Sequence, residues 1–230
     1  AVAACVAISR DLVREFNDCG VSAERIHYLP NGVDTTLFHP VDGETRRALR
    51  VSLGLPLDKP IALYVGVMDE RKNIEWLAGQ WVEQDAFGTG ALLLAIGPQS
   101  REDPQGELIE RLHARQVAAP DRFCLRARSA NIEDYLRAAD VLVLPSHREG
   151  LPNVVLEAMA SGLPCVAAEV SGTRDLVQHG RTGYTYAPDD PVALAAAVSG
   201  ALSPCGRELG DNGRRIAEER FSLESVAQGY

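Results

Sequence analysis

DVLVLPSHREGLPNVVLEAMASGLPCVAA, residues 140–168, is the stretch that decides the fold. An apolar run at 140–144, VLVL after a leading Asp140, gives way to a polar loop. A segment that is apolar on nearly every side follows at 152–161, and a second continuous run closes the stretch at 164–168. Neither run alternates apolar with polar residues, as expected of parallel strands covered on both faces. The stretch therefore reads as strand, helix, strand.

Working outward, further apolar runs occur at 61–65 (IALYV), 91–96 (ALLLAI) and 122–125 (RFCL). Helical periods fill the gaps near 72–84, 104–116 and 131–138, and a short helical turn is expected near 173–178. Regular alternation of this kind predicts an α/β domain of Rossmann-like, doubly wound type, a parallel sheet with helices on both faces. Upstream, a helix near 9–19 ends at Gly20, and IHYLP with PNGVD reads as a strand and a tight turn. Downstream, helices near 191–202 and 205–220 and the closing FSLESVAQGY form a helical tail. Residue 1 is Ala and the first segment reads as a strand end entering a helix, so the chain is expected to be cut from something longer.

Composition excludes several classes. The 230 residues are 46% hydrophobic and 24% charged, with a formal charge of −9. The 23 Lys and Arg form no basic stripe, which argues against nucleic acid. No apolar run approaches the ~20 residues of a membrane span, and AVAACVAISRD lacks a basic n-region with a cleavage site. Cys5, Cys19, Cys124, Cys165 and Cys205 contain no CxxC, which favours free thiols in a reducing compartment. The five histidines lack ligand spacing and no DxD triplet occurs, so no metal site is expected. GxGxxG, GxxxxGK[ST] and GxSxG are also absent, which disfavours oxidoreductase, P-loop and α/β-hydrolase readings.

In open α/β sheets ligands collect outside the carboxyl ends of the strands. That rule nominates the loops 66–72, 97–99, 126–131, 145–152 and 169–173. In 145–152, Gly150 permits close backbone approach and Pro152 suits a first helical turn, so the amides that follow form a natural anion site, although any strand-loop-helix unit has such an end. Glu157 is a lone charge in an apolar helix, costly unless its oxygens find donors such as a ribose diol; a solvent-facing glutamate reads equally from spacing. Glu149 precedes it by eight positions, in the loop, so the two carboxylates flank the helix start. Acid/base hydrolysis would need both to face one bond. In GVMDERKN at 66–73, Gly66 ends a strand and Arg71 and Lys72 open the next helix. Lys72 suits neutralisation of a departing diphosphate, or is half of a solvated pair. Gly97 follows the second strand, and the small polar loop RARSAN from Arg126 suits a nucleobase edge.

Taken in order, these segments resemble the C-terminal domain of retaining GT-B glycosyltransferases of family 4, over nearly the whole chain. PNGVDTTLF (30–38) is similar to that domain's entry, LYVGVMDERKN (63–73) to its first phosphate loop and AADVLVLPS (138–146) to the strand before its signature. EGLPNVVLEAMASGLPCVA (149–167) matches the signature, a Glu, seven residues and a second Glu, and SGTRDLVQHGRTGYTYAPDD (171–190) the segment after it. The resemblance implies that Glu149 contacts the transferred sugar, that amides around Gly150, Leu151 and Val154 hold the diphosphate, and that Glu157 binds ribose. It implies further that Lys72 and Gly66 belong to the phosphate loop and that the base lies against the loop from Arg126 to Ile132. One departure stands out: Val67 occupies a place where many members carry Arg, so either Arg71 compensates or the site holds the phosphates with one cation fewer.

The expected boundaries are an entry region at 1–20, a nucleotide-sugar-binding domain at 21–203 and a helical tail at 204–230, with an N-terminal acceptor domain absent. The expected partners are a nucleoside diphosphate sugar and, through the absent domain, an acceptor glycan or glycolipid as in polysaccharide biosynthesis. No cofactor or metal is expected, and any membrane contact lies outside this chain. The full-length protein is expected in the cytoplasm, peripheral to the inner membrane face. Alternatives are a sugar-nucleotide epimerase of similar fold and a catalytically inactive nucleotide-binding scaffold.

Overall fold

The computed structural model describes residues 4–228. Residues 1–3 of the first segment and the last two residues of the tail lie outside the described residues; the rest of that segment is a short strand entering a helix, as its sequence reads. In chain order the elements are β1 (Cys5–Ala7), α1 (Arg10–Asp18), β2 (Ile26–Tyr28), α2 (Gly43–Ser52), β3 (Ile61–Val65), α3 (Ile74–Glu83), β4 (Leu92–Ile96) and α4 (Glu107–Ala118). Then come β5 (Phe123–Arg126), α5 (Ile132–Ala138), β6 (Val141–Leu144), α6 (Asn153–Ala160), β7 (Cys165–Ala168), α7 (Thr173–Leu176), β8 (Gly183–Tyr186), α8 (Pro191–Ala201) and α9 (Gly206–Ile216). A π-helical turn, Ala217–Phe221, leads into α10 (Leu223–Gln228).

Six strands form one parallel sheet in the order β5-β4-β3-β6-β7-β8. Every residue of β4, β6 and β7 is buried, which is why their sequences show no polar alternation. One face of the sheet packs against α3, α4 and α8 through Leu77, Trp81, Leu112 and Leu194; the other packs against α5, α6 and the π-helical turn through Leu136, Leu156, Met159 and Phe221. Buried Trp81 keeps its indole N–H satisfied by donating to the Ala91 carbonyl at 3.0 Å. The chain order reverses between β3 and β6, so the loops after those two strands part in opposite directions and leave a crevice.

β1 and β2 pair with each other in a separate two-stranded parallel sheet. All five cysteines are free, and complete burial pushes the Cys165 thiol up to about 12.

Two elements were absent from the sequence expectation. β8 (GYTY) is a short edge strand whose middle residues are only half-buried. Gly183 opens it because a Cβ there would stand 2.1 Å from the Cys165 carbonyl oxygen. α2 (GETRRALRVS) has no apolar stripe to read, because its one buried residue is Arg50. Arg50 holds the helix by donating to the Ala138 carbonyl at 2.9 Å and to Asp140 at 2.6 Å. The tail, expected as one helix over 205–220, changes to a π-helical turn after Ile216.

Candidate functional site

The crevice is formed by the loops that leave β3 and β6. Buried Asp69 shapes the first of them: its Oδ1 accepts from the Lys72 backbone N–H at 2.8 Å and caps the single 3-10 turn Glu70–Lys72. Asn73 then adopts a left-handed conformation (φ 57, ψ 27) and starts α3. Lys72 thereby points across the crevice, where its Nζ donates to both Glu149 carboxylate oxygens, at 2.7 and 2.9 Å. Glu149 is 9% exposed. The two loops are also joined by backbone, His147 N–H donating to the Arg71 carbonyl at 2.9 Å.

Glycine at 66 and 97 has a packing cause. A Cβ on Gly97 would lie 1.7 Å from the Gly66 carbonyl oxygen, and a Cβ on Gly66 would lie 2.8 Å from the Tyr64 hydroxyl. That hydroxyl donates to the Val67 carbonyl at 2.9 Å, and burial, then Asp69 and Glu149, push its pKa well above the ordinary tyrosine value. Val67 itself is 37% exposed at the loop surface.

On the other wall, the backbone from Gly150 to Val154 turns into α6 without a side-chain cap. Among the described residues, the amides of Gly150, Leu151, Asn153 and Val154 have no protein acceptor, so several donors converge at the positive end of the helix. The turn is braced from outside. Asn31 Nδ2 donates to the Leu151 carbonyl at 3.0 Å and to Asn153 Oδ1 at 2.7 Å. Gly172 (φ 76) lies so close that a Cβ would stand 2.1 Å from the Gly150 carbonyl. Leu151 is buried, and half-buried Val154 packs on the core.

One turn further along α6, half-buried Glu157 finds no hydrogen-bond donor for its carboxylate among the described residues. Burial, and then repulsion from Glu133 on α5, push its pKa up. Glu157 thus faces the start of α5, beside the loop 126–131, as an acceptor in need of hydroxyl donors. At the end of β6 the fully buried Ser146 hydroxyl likewise has no partner among the described residues.

Two expected site residues point elsewhere. The Arg71 guanidinium pairs with Asp69 at 3.2 Å and Glu102 at 3.6 Å and is mostly exposed, so it does not stand in for an Arg at position 67 in this arrangement. Arg126 reaches α2, donating to the Leu53 carbonyl at 2.7 Å, the Gly54 carbonyl at 3.3 Å and Tyr135 Oη at 3.2 Å. Only its backbone faces the crevice side, where its carbonyl accepts from Gly97 N–H at 3.2 Å. Ile132 opens α5 and packs on the core. Sequence reading passed over Asp69, Tyr64, Asn73, His147, Ser146 and Asp189; of these, only Asp69 carried a local signal, an acidic residue three before the lysine it caps. An open cleft of about 630 Å³ also exists between Pro40, Arg46, Asp140 and Pro164. It lies at the amino end of the sheet, where Arg46 and Asp140 already pair at 2.6 Å.

Residues 59–203 match the family described as Glycosyl transferases group 1. The chain belongs to that family. Lys72, Glu149 and Glu157 all lie within the matched residues, as do both loops of the crevice. Over 225 residues the chain is 34% identical to the D-inositol 3-phosphate glycosyltransferase of Xylanimonas cellulosilytica, covering 95% of this chain and 52% of that protein. Among solved structures, sucrose-phosphate synthase from Thermosynechococcus elongatus superposes with a TM-score of 0.82 at 31% identity, over 97% of this chain and 55% of that one. HepE from Anabaena, solved in complex with UDP-glucose, gives 0.85 at 22% identity over 99% of this chain and 62% of its own, and at that identity it speaks for the fold alone. The chain thus spans about half the length of the curated relatives it matches. Among the described residues no helix is long and apolar enough to cross a membrane, and no group of three or more His, Cys, Asp or Glu is placed to hold a metal ion.

Proposed function

We propose that this chain binds a nucleoside diphosphate sugar as the donor domain of a retaining, metal-independent glycosyltransferase of family 4. In this reading the whole protein transfers the sugar to an acceptor hydroxyl of a glycan or glycolipid held by a further, N-terminal domain. The observation that carries the reading is the contact of Lys72 Nζ with both Glu149 oxygens across the switch point of the sheet, beside unbonded amides of the α6 start.

Each part of such a donor has a counterpart here. A diphosphate needs several donors and a cation close together, which Gly150, Leu151, Val154 and Lys72 supply. A ribose diol needs a carboxylate that lacks other donors, which is Glu157. The base lies against the backbone of 126–131 and Ile132, with Arg126 acting as the scaffold of that wall. Glu149, held by Lys72 until the donor arrives, then contacts the sugar, while the ammonium turns to the charge that develops on the leaving diphosphate. With amides and an ammonium in these roles, a divalent ion is not required.

The test is calorimetric titration of the chain with UDP, GDP, ADP and dTDP, with and without magnesium, repeated on Glu157→Ala. Saturable binding of one nucleotide, indifferent to magnesium and weakened about tenfold or more by the substitution, is expected once the two ribose hydroxyls have no carboxylate to donate to. Binding that needs magnesium, or that ignores Glu157→Ala, would remove the corresponding assignment.

A further inference from the structure

Asn73 (φ 57) and Asp189 (φ 60) hold left-handed backbone conformations, which Asn and Asp tolerate better than other side chains but which still require support from their surroundings. They support each other: Asn73 Nδ2 donates to Asp189 Oδ1 at 2.9 Å. His147 Nε2 lies 3.0 Å from both oxygens of the same carboxylate.

Neither Asn73 nor Asp189 does the local work its position invites. Asn73 is the N-cap of α3, yet its side chain makes no capping bond. Asp189 stands at the start of α8, yet that helix is capped by Asp190, which accepts from Val192 N–H at 3.0 Å and Ala193 N–H at 2.9 Å. Both side chains forgo their own helix ends to meet across the crevice rim. Asn73 directly follows Lys72, and His147 stands two residues before Glu149. One carboxylate from the loop after β8 therefore ties together the two loops that carry the ion pair.

We propose that Asp189 is a positioning residue which, through Asn73 and His147, fixes the span between Lys72 and Glu149 and so holds the ammonium where a donor diphosphate reaches it. The proposal rests on the donor-site reading above, since it assigns Asp189 a role toward the same ligand. The carboxylate is held below the usual range, first by the His147 hydrogen bond and, against some burial, by Asn73, as expected of an acceptor satisfied in its charged form.

The chain has only two lysines, Lys59 and Lys72, which makes the test direct. Pulsed acetylation read by mass spectrometry follows the Lys72 amine with Lys59 as internal reference. Asp189→Ala and Asn73→Gly, the latter keeping the left-handed backbone and losing only the amide bond, are expected to speed Lys72 acetylation about tenfold, the scale of one charge-assisted hydrogen bond. Lys59 should be unchanged, and Asp189→Asn, which keeps an acceptor oxygen for Asn73 but loses the charge, should fall between the wild type and Asp189→Ala. An unchanged Lys72 rate in both disrupting variants, or an equal rise at Lys59, overturns the proposal. UDP titration of the same proteins separates the two claims. Failure of the wild type to bind UDP, GDP, ADP or dTDP would sink the donor reading, while the acetylation rates still decide the clamp.

Discussion

Lys72 and Glu149, 77 positions apart in the chain, meet with the Lys72 Nζ at 2.7 and 2.9 Å from the two carboxylate oxygens. The pair places a cation at the crevice and at the same time occupies it. A diphosphate must therefore compete with Glu149 for the ammonium, and the two halves of the pair should respond to substitution with opposite signs. Lys72→Ala is expected to weaken UDP binding about tenfold by removing the cation. Glu149→Gln is expected to strengthen it about threefold to tenfold, since it removes a nearby like charge and frees the ammonium. Calorimetry with UDP, which lacks the sugar that Glu149 would contact, isolates this effect; equal weakening in both variants would mean that Glu149 holds the diphosphate loop in shape instead.

Glu157 sets binding against stability. Its folded pKa is raised above the ordinary value of 4.5, by burial and then by Glu133, so the folded state prefers the protonated form. That favourable contribution is fully present below the unfolded pKa and is lost as pH rises through the folded one, leaving an ionised, poorly solvated carboxylate at pH 7. Glu157→Gln should therefore raise Tm at pH 7, with the gain shrinking toward pH 4 as the wild-type carboxyl regains its proton. The same variant should bind UDP about tenfold more weakly, having one acceptor oxygen in place of two. Thermal melts across pH 4–7 beside titrations check both halves.

Gly97→Ala drives a Cβ to within 1.7 Å of the Gly66 carbonyl oxygen, a backbone atom with no rotamer to escape through. A loss of about 3 kcal/mol or more is expected, a drop in Tm of roughly 6–12 °C. Gly66→Ala meets instead the Tyr64 hydroxyl at 2.8 Å, so adding Tyr64→Phe should recover part of its loss. Melting curves of the four proteins test the packing account, and a mild Gly97→Ala would contradict it.

Arg126 lies on a nominated loop, yet its guanidinium holds the end of α2 through the Leu53 and Gly54 carbonyls. Arg126→Ala should cost about 1–2 kcal/mol and leave the UDP affinity within about twofold of the wild type. Weakened binding at an unchanged Tm would return the side chain to the ligand.

The α/β class, five of the six sheet strands and the loops that carry the site were readable from local pattern, whereas the order of the strands across the sheet was not. Continuous apolar runs such as VLVL (141–144) can be satisfied only when both faces of a strand are covered, and that covering dictates helices between them and a crevice where the order reverses. Glu149, Glu157 and Lys72 were readable as unusual residue types beside such a crevice. α2 was not, because a salt-bridged Arg50 rather than an apolar stripe anchors it. β8 was not, because a four-residue edge strand is specified largely by its neighbour β7. The pairing of Lys72 with Glu149, the tie of Asn73 and His147 to Asp189, and the turning of Arg71 and Arg126 away from the crevice belong to the tertiary structure alone. Periodicity records which side of an element is covered; which charged side chains then face one another depends on loops brought together from positions 42, 77 and 116 residues apart, and only closure of the sheet sets those distances.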